Sequence, residues 1–206
     1  AQTLCDVKPG ELIKIDENGV TRFEDNVGKV KPSLCVFEYV YFARPDSYLD
    51  GKSVYQARID IGRELYAAHP VKADIVMGVP SSGLHFALGY AYASGIPYAD
   101  GLVKNSYVGR TFIKGTDAVR REAVSIKLNA MRGAIEGKNV VLVDDSIVRG
   151  TTSANLVRMI KDGGAKSVHM RIASPPFIYS CPYGSDIPDR AQLAAVRMSI
   201  EQIRES

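Results

Sequence analysis

The segment that most constrains the fold of this chain covers residues 140–152. It reads Val-Val-Leu-Val-Asp-Asp-Ser-Ile-Val-Arg-Gly-Thr-Thr. The four apolar residues at its start predict a strand buried on both faces, because a half-solvated strand would alternate apolar and polar residues. Beyond the loop, Leu156, Val157 and Ile160 recur at helical spacing up to Asp162. The segment therefore predicts a strand, a loop and a helix in succession.

The loop between this strand and helix has the composition of a phosphate-binding loop. In parallel α/β sheets, ligands bind beyond the carboxyl ends of strands, where backbone N–H groups and a helix N-terminus can hold an anion. Gly150 lets the backbone approach a ligand closely, and the hydroxyls of Ser146, Thr151 and Thr152 add small donors. Thr151, Thr152 and Ser153 are also predicted to cap the helix.

Two adjacent carboxylates, Asp144 and Asp145, precede the loop. They would repel an anionic ligand unless a cation or ligand hydroxyls lay between them, and Mg²⁺ or a sugar ring meets that need. The pair therefore favours a sugar phosphate as ligand. A glycosidase-like acid/base pair is disfavoured, because neighbours on an extended strand point to opposite faces. The alternative is a solvated Asp-Asp pair at a strand end, beside hydroxyls that only cap the helix.

Composition excludes several classes of protein. With 206 residues, 46% of them hydrophobic, the chain is long enough for one principal domain with an ordinary core. Lys and Arg number 26 against 23 Asp and Glu, a balance that does not indicate a nucleic-acid surface. The sequence has no apolar run near the roughly 20 residues of a membrane span and no secretory signal, so it predicts a cytoplasmic protein.

Apolar periodicity and turn residues predict an alternation of strands and helices. The predicted elements are a hairpin at 9–23 turned at Asn18-Gly19, an aromatic strand at 34–42, a helix at 53–68, a strand at 74–79, a helix at 84–93, a strand at 167–173 and a closing helix at 192–203. This order predicts a mostly parallel sheet with helices on both faces. A small covering subdomain is expected from the two terminal segments.

Two further loops are candidates for ligand contact. Residues 78–83 form a second small-residue turn between a strand and a helix, which indicates another phosphate loop, although a plain turn fits as well. Residues 104–119 are rich in Gly, Thr, Lys and Arg and show little periodicity. This composition predicts a mobile loop, which is either a lid over the ligand site or a basic surface loop.

The chain resembles a known family at several of these places. The apolar strand, Asp144-Asp145 and Gly150-Thr151-Thr152 resemble the phosphoribosyl pyrophosphate (PRPP) signature of type I phosphoribosyltransferases. Four further stretches narrow this resemblance to the glutamine PRPP amidotransferases, namely residues 37–47, 104–105, 107–113 and 127–129. The resemblance extends from the region of Val7 to the end of the chain. It implies the type I phosphoribosyltransferase fold, an α/β fold.

The resemblance implies a reaction and a domain organisation. The reaction is transfer of the 5-phosphoribosyl group from PRPP to ammonia, giving 5-phosphoribosylamine and pyrophosphate, the first step of de novo purine biosynthesis. Residues 1–30 would be the final hairpin and connector of a glutaminase domain. Residues 31–206 would be the phosphoribosyltransferase domain, truncated at its C-terminus. The chain would then be a fragment or a stand-alone ammonia-using form, and relatives imply a homo-oligomer.

The family also implies roles for individual residues. PRPP binding is assigned to Ser81, Ser82, Gly83, Asp144, Asp145, Ser146, Ile147, Val148, Arg149, Gly150, Thr151, Thr152 and Lys127. Catalytic roles are assigned to Asp144, Asp145, Lys104, Tyr107 and Arg110, the last three on the predicted lid. A lid has a chemical purpose, because water would capture a ribosyl cation that formed in an open site.

Metal ligands follow from the same resemblance. Ser82, Asp144 and Asp145 are the expected Mg²⁺ ligands. The three cysteines have no Cys-x-x-Cys spacing, so by themselves they read as small buried residues. In one subclass of the family, Cys35 and Cys181 match two ligands of a structural 4Fe-4S cluster, which needs four thiolates. The other two ligands belong to a tail that these residues do not include, and Cys5 matches none.

Two other functions are consistent with the same residues. The first is a salvage phosphoribosyltransferase that acts on a purine or pyrimidine base. The second is a non-catalytic PRPP-binding regulatory domain, which would bind PRPP without releasing pyrophosphate. The stretch at 104–113 favours ammonia over a base, and the acidic pair favours an enzyme over a regulator.

Overall fold

The computed structural model describes residues 5–29, 31–105, 128–182 and 189–205. The chain divides into two compact units, Ala1–Glu38 and Tyr39–Ser206. The first unit contains an antiparallel hairpin of β1 (Leu12–Asp16) and β2 (Gly19–Phe23), which confirms the predicted hairpin. Gly19 has a φ of 111°, a conformation that favours glycine at this tight turn.

The second unit holds most of the secondary structure. After a π-helical turn at Glu38–Phe42, its elements are β3 (Tyr48–Leu49), β4 (Lys52–Ser53), α1 (Val54–Ala68), β5 (Ile75–Gly78), α2 (Leu84–Ser94), β6 (Leu102–Lys104), β7 (Leu128–Ala130), α3 (Arg132–Ile135), β8 (Asn139–Asp144), α4 (Thr151–Asp162), β9 (Ser167–Ile172), a 3-10 turn (Arg190–Gln192), α5 (Ala194–Arg197) and α6 (Ile200–Glu205). Within the described parts of the chain, no helix has the length and apolar character needed to cross a membrane.

The centre of this unit is a parallel sheet in the order β5, β8, β9. Alternate residues of the strands enter two separate apolar clusters, because successive side chains of a strand point to opposite faces. Val140 and Leu142 pack with Leu156 and Ile160 of α4. Val141 and Val143 belong instead to a cluster that α2 completes with Phe86, Ala87, Tyr90 and Ala91. The predicted parallel sheet with helices on both faces is confirmed.

Helices α1 and α2 approach each other closely at two glycines. A Cβ atom on Gly62 would lie 2.1 Å from the carbonyl oxygen of Phe86, and one on Gly89 would lie 2.0 Å from that of Ile59. Neither position can hold a larger residue without a shift of backbone. Ser53 caps α1 by accepting a hydrogen bond from the N–H of Gln56, so this helix begins as the sequence predicts.

The predicted aromatic strand at 34–42 is wrong, because none of these residues lies in a strand and Glu38–Phe42 forms a π-helical turn. The cause is a distant side chain. The Arg58 guanidinium donates to the carbonyl oxygens of Tyr39 at 2.7 Å and Ala43 at 2.8 Å, which holds the turn compact. Local β propensity therefore gives way to tertiary hydrogen bonding.

The predicted single closing helix at 192–203 is also wrong, because the chain forms α5 and α6 with a break between them. Ser199 and Gln202 make reciprocal hydrogen bonds, from the Ser199 N–H to the Gln202 side chain and from the Gln202 N–H to the Ser199 hydroxyl. This capping box starts a new helix at Ile200.

One pairing was not predicted. Strands β6 and β7 form an antiparallel ladder in which Leu102 pairs with Ala130 and Lys104 with Leu128. Both strands have only three residues, too few to show alternation in the sequence. The ladder places Lys104 on a fixed strand end.

Candidate functional site

A cleft of about 1380 Å³ lies beyond the carboxyl ends of β5 and β8. Residues within 41–45, 79–85 and 191–197 meet there with the loop that follows β8. Its lining includes Tyr41, Phe42, Ala43, Arg44, Pro45, Arg58, Val79, Pro80, Ser81, Ser82, Leu84, His85, Lys104, Leu128, Asp144, Asp145, Ser146, Val148, Arg149, Gly150, Thr151, Thr152, Ser153, Asn155, Ala191, Gln192 and Arg197. The cleft occupies the place in the sheet where α/β proteins bind ligands.

Asp144 and Asp145 lie at the floor of the cleft. Their exposed fractions are only 7% and 5%, so both carboxyl groups are buried although both line the cleft. The Asp145 N–H donates to the Asp144 carboxylate at 2.9 Å, and the Ser146 hydroxyl donates to the Asp145 carboxylate. Neither carboxylate forms a salt bridge with a described residue.

Burial makes the ionised form of this pair unfavourable. Loss of hydration, together with the neighbouring Asp145 charge, raises the pKa of Asp144 to about 8. Burial also raises the pKa of Asp145, although hydrogen bonds from Ser146 and Ser82 and the charge of Arg58 act in the opposite direction. The pair is therefore a concentrated acidic site that a cation or a set of hydroxyl donors would stabilise in its ionised form.

The loop at 146–152 leads from the acidic pair into α4. Gly150 is the N-cap residue of α4 and has a φ of 87°, a conformation that a residue with a Cβ rarely adopts. The helix begins at Thr151 without a side-chain cap, so the prediction that Thr151, Thr152 and Ser153 cap it is wrong. Thr151 and Thr152 are exposed in the cleft instead. Neither hydroxyl is used to cap the helix.

The second loop, residues 79–83, connects β5 to α2 and lies against the first. The Val79 N–H donates to the Val143 carbonyl oxygen at 2.9 Å, and the Ser82 side chain acts to lower the pKa of Asp145. The peptide bond between Pro80 and Ser81 is cis. A Cβ on Gly83 would lie 2.4 Å from the Val143 carbonyl oxygen, so glycine is required for this packing.

Most of the predicted site residues in the described ranges meet at the cleft. Lys104, Ser81, Ser82, the acidic pair and most of the 146–152 loop line it together. Gly83 and Ile147 adjoin the cleft without lining it, and Gly83 is buried. Tyr107, Arg110 and Lys127 lie outside the described residues.

Arg58 is a cleft residue that the sequence prediction omitted. Its exposed fraction is 3%, and its guanidinium lies 5.9 Å from the centre of the Phe86 ring. Burial lowers its pKa, while the charge of Asp145 raises it. A sequence signal was present, because Arg58 follows Val54 by four residues and so lies on the predicted buried face of α1. A charged residue on such a face indicates a specific buried partner.

His85 is a second lining residue that was not predicted. Its Nδ1 atom is buried and has no hydrogen-bond partner among the described residues. Its ring meets the Tyr55 ring edge to face at 5.2 Å. Burial, and secondarily the charge of Arg58, lower its pKa. We therefore expect a neutral imidazole at this place near pH 7.

The cysteines do not form a metal cluster in the described parts of the chain. Cys35 is exposed and Cys181 half-buried, and no disulfide joins Cys5, Cys35 and Cys181. No group of three or more His, Cys, Asp or Glu side chains with the arrangement of a metal site occurs among the described residues. The iron-sulfur subclass stays a prediction from the resemblance.

The family model for the phosphoribosyl transferase domain matches residues 45–173. This range contains both small-residue loops and the acidic pair. The chain therefore belongs to the phosphoribosyl transferase domain family, and its fold is the type I phosphoribosyltransferase fold.

Among curated proteins, the chain is similar to amidophosphoribosyltransferases. It is 48% identical to that of Bacillus subtilis over 207 residues and 52% identical to that of Mycobacterium tuberculosis over 197 residues. These matches cover 100% and 95% of this chain but 43% and 37% of the relatives. The chain thus spans about two fifths of the length of the relatives it matches.

A solved structure gives the same result. The glutamine PRPP amidotransferase from Bacillus subtilis complexed with ADP and GMP superimposes with a TM-score of 0.82 at 48% identity. The match covers 97% of this chain and 44% of that one. The predicted resemblance to amidophosphoribosyltransferases is confirmed for the whole length of the chain.

Proposed function

We propose that this chain carries the site at which the 5-phosphoribosyl group of PRPP is transferred to ammonia. The products are 5-phosphoribosylamine and pyrophosphate, and the step opens de novo purine biosynthesis. One observation supports this most strongly. A buried pair of carboxylates lies between two small-residue loops; the Ser146 hydroxyl of one loop donates to Asp145, and Ser82 of the other loop lines the same cleft. PRPP has a phosphate at one end, a pyrophosphate at the other and two ribose hydroxyls between them. These groups match the order of one loop, the acidic pair and the other loop.

Mg²⁺ is the cofactor that fits the acidic pair. The two carboxylates are buried and have raised pKa values, and no described cation forms a salt bridge with them. Hard divalent cations prefer such oxygen donors. Asp144, Asp145 and Ser82 would hold the ion, directly or through water and the ligand hydroxyls. When bound, Mg²⁺ would neutralise charge on the pyrophosphate and so make it a better leaving group.

The residues of the chain then have distinct tasks. The 146–152 loop binds the 5-phosphate through backbone N–H groups and hydroxyls, and the acidic pair accepts hydrogen bonds from the ribose hydroxyls. Residues 81–82 and Lys104 bind the pyrophosphate, whose negative charge increases as it departs. Tyr107, Arg110 and Lys127 are proposed to complete this side of the site when a lid closes.

The bond changes balance without a redox partner. The bond between the anomeric carbon and the pyrophosphate oxygen breaks, and its electron pair leaves with pyrophosphate. The lone pair of ammonia forms the new C–N bond from the opposite face, so the configuration inverts. The nitrogen then loses one proton to solvent. Ammonia is already a nucleophile, so the site needs to exclude water more than it needs a general base.

The broader organisation is proposed from the relatives. Residues 1–30 would end a glutaminase domain that supplies ammonia from glutamine, and residues 31–206 would form the transferase domain. A homo-oligomer is the proposed assembly. Cys35 and Cys181 would supply two of the four thiolates of a 4Fe-4S cluster in a longer protein. A cytoplasmic location also stays a prediction.

An acceptor panel tests the proposed reaction. Pyrophosphate release from PRPP and Mg²⁺ is measured with ammonium chloride, with glutamine, with each purine and pyrimidine base, and without an acceptor. We expect release with ammonium chloride, increasing with pH as ammonium loses a proton to give ammonia, and none with glutamine for this polypeptide alone. Release that depends on a base would show a salvage enzyme. PRPP binding without release under every condition would show a binding domain.

A further inference from the structure

The loop at 146–152 is supported by a part of the chain that lies far from it in sequence. This part, residues 190–197, is called the return segment here. It comprises the 3-10 turn and α5, and three of its residues, Ala191, Gln192 and Arg197, line the cleft. It lies beyond residues 45–173, the range that the general family model matches.

Two successive carbonyl groups of the loop accept hydrogen bonds from the return segment. The Ala194 N–H donates to the Val148 carbonyl oxygen at 2.8 Å, and Arg197 Nη2 donates to the Arg149 carbonyl oxygen at 3.3 Å. In a trans peptide, the C=O and N–H groups point in opposite directions. Fixing these two carbonyls therefore also fixes the directions of the Arg149 and Gly150 N–H groups.

The segment also orients a charged side chain. Arg149 Nε donates to the Gln192 Oε1 atom at 3.2 Å. Arg149 and Arg197 are both exposed in the cleft, and neither forms a salt bridge with a described carboxylate. Two guanidinium groups thus flank a loop whose neutral donors are already suited to an anion.

The return segment is itself well anchored. Leu193 and Ala194 are fully buried, and the Ala194 Cβ would be only 3.7 Å from a Cβ placed on Gly150. At its start, Arg190 donates to the Ile178 carbonyl oxygen at 3.1 Å and lies 4.7 Å from the centre of the Tyr179 ring. The small residues let the two segments meet, and the arginine fixes the direction of approach.

We propose that the return segment is the second half of the phosphate site. It preorganises the N–H groups of Arg149 and Gly150 through the Ala194 and Arg197 hydrogen bonds, and Arg197 supplies a further cation to the bound phosphoryl group. This inference rests on the proposed function, since it concerns the 5-phosphate end of the same ligand. Ala194 is a positioning residue, whereas Arg197 both positions the loop and binds the anion.

Ala194→Pro removes the key hydrogen bond and also adds ring atoms at a fully buried position, so urea unfolding first checks that the variant folds. Proline lacks the N–H but suits the first residue of a helix, which Ala194 is in α5. The preceding residue, Leu193, already has φ −72° and ψ 127°, the conformation that a following proline requires. Arg132→Pro, at the exposed first residue of the four-residue helix α3, controls for a proline at a helix start; Met131 precedes it with φ −86° and ψ 90°.

Arg197→Gln removes the charge together with the hydrogen bond to the Arg149 carbonyl oxygen, and it changes an exposed side chain. Its control is Arg204→Gln, an exposed arginine of α6 outside the cleft. The probes are ribose 5-phosphate, which has only the 5-phosphate, and inorganic pyrophosphate with Mg²⁺, which occupies the other end. Binding is measured by isothermal titration calorimetry on the full chain at two salt concentrations.

We expect Ala194→Pro and Arg197→Gln each to weaken ribose 5-phosphate about tenfold, as for one lost hydrogen bond or one lost ion pair. Pyrophosphate binding should change less than about twofold, and both controls should match the wild type. Arg197→Gln should also reduce the salt dependence of ribose 5-phosphate binding. Unchanged ribose 5-phosphate binding in both variants, or equal loss of both probes, would overturn the inference. Failure of the wild type to bind either probe would instead overturn the proposed function.

Discussion

Asp144 shows most directly how burial and ligand binding are linked in this protein. The carboxyl group is almost inaccessible, yet it belongs to the cleft and adjoins a second carboxyl group. Its raised pKa of about 8 means that the folded protein without ligand retains a proton that the unfolded chain releases near pH 4. The buried carboxyl group therefore lowers the stability of the ligand-free protein while it forms an acidic site in advance of ligand binding, as at many functional sites.

This linkage predicts a stability change for Asp144→Asn. Between the unfolded pKa of 3.8 and the folded value of about 8, the folded state binds more protons, so the carboxyl group lowers the free energy of unfolding as pH rises. The neutral variant lacks this effect. Without Mg²⁺, we therefore expect the free energy of unfolding of Asp144→Asn, relative to that of the wild type, to increase by at least about 1 kcal/mol from pH 5 to pH 8. Urea unfolding measures this difference.

Asp46→Asn is the control. Hydrogen bonding to Arg44 lowers the pKa of the Asp46 carboxyl group, so this group is ionised in both states above pH 5. The stability difference between that variant and the wild type should therefore stay constant from pH 5 to pH 8. A similarly constant difference for Asp144→Asn would contradict the buried acidic pair.

Arg58 yields a second residue-scale prediction. Its rigid fork reaches the carbonyl oxygens of Tyr39 and Ala43, and an ammonium group has no such fork. Arg58→Lys should therefore reduce the free energy of unfolding by about 1–3 kcal/mol, the effect of one or two lost hydrogen bonds. Arg63→Lys on the same helix alters only an exposed pair with Asp60 and should change stability by less than about 0.5 kcal/mol. Equal losses of stability in both variants would contradict the proposed role of the Arg58 guanidinium group.

At the scale of secondary-structure elements, the contact between α1 and α2 positions Arg58. Gly62 lies one turn after Arg58, and its close approach to the Phe86 carbonyl brings the arginine to the cleft. Gly62→Ala should lower the free energy of unfolding by about 2 kcal/mol or more, because the added methyl group meets backbone that cannot rotate away. Thermal and urea unfolding measure this change.

Gly133→Ala is the matched control for that substitution. Gly133 lies in α3, and a Cβ there would meet nothing within 4 Å. Alanine should leave stability unchanged or raise it by up to about 1 kcal/mol, since it restricts the unfolded chain. Destabilisation of similar size at both positions would show that helix propensity, and not the α1–α2 contact, determines the result.

The elements that were predicted from sequence are those with a local cause. The strand at 140–143 and the helix after Thr151 follow from apolar runs and spacing, and β5, α1, α2 and β9 were located in the same way. The π-helical turn was not, because Arg58 makes it from another element. The break at Ser199 did have a local signal, the Ser-x-x-Gln capping box, which the apolar pattern of the closing helix obscured.

At the scale of the whole molecule, the sequence indicated which loops carry the site but not all that surrounds them. Two strand ends in one parallel sheet must share an edge, so the meeting of residues 79–83 with residues 144–152 was predictable. The approach of Arg58, His85 and the return segment to the cleft was not, although the place of Arg58 on the buried face of α1 indicated a buried partner. Their approach to the cleft depends on helix packing and on a chain return from a distant part of the sequence.

The rate of pyrophosphate release from PRPP with ammonium chloride tests the central claim most directly when the wild type is compared with the Asp144→Asn, Asp145→Asn double variant over a Mg²⁺ titration. We predict Mg²⁺-dependent release by the wild type. In the double variant, we predict a loss of at least about 1000-fold, because both the metal ligands and the acceptors for the ribose hydroxyls are removed. A folded double variant that releases pyrophosphate at the wild-type rate and with the same Mg²⁺ dependence would contradict the claim that this buried pair forms the PRPP site.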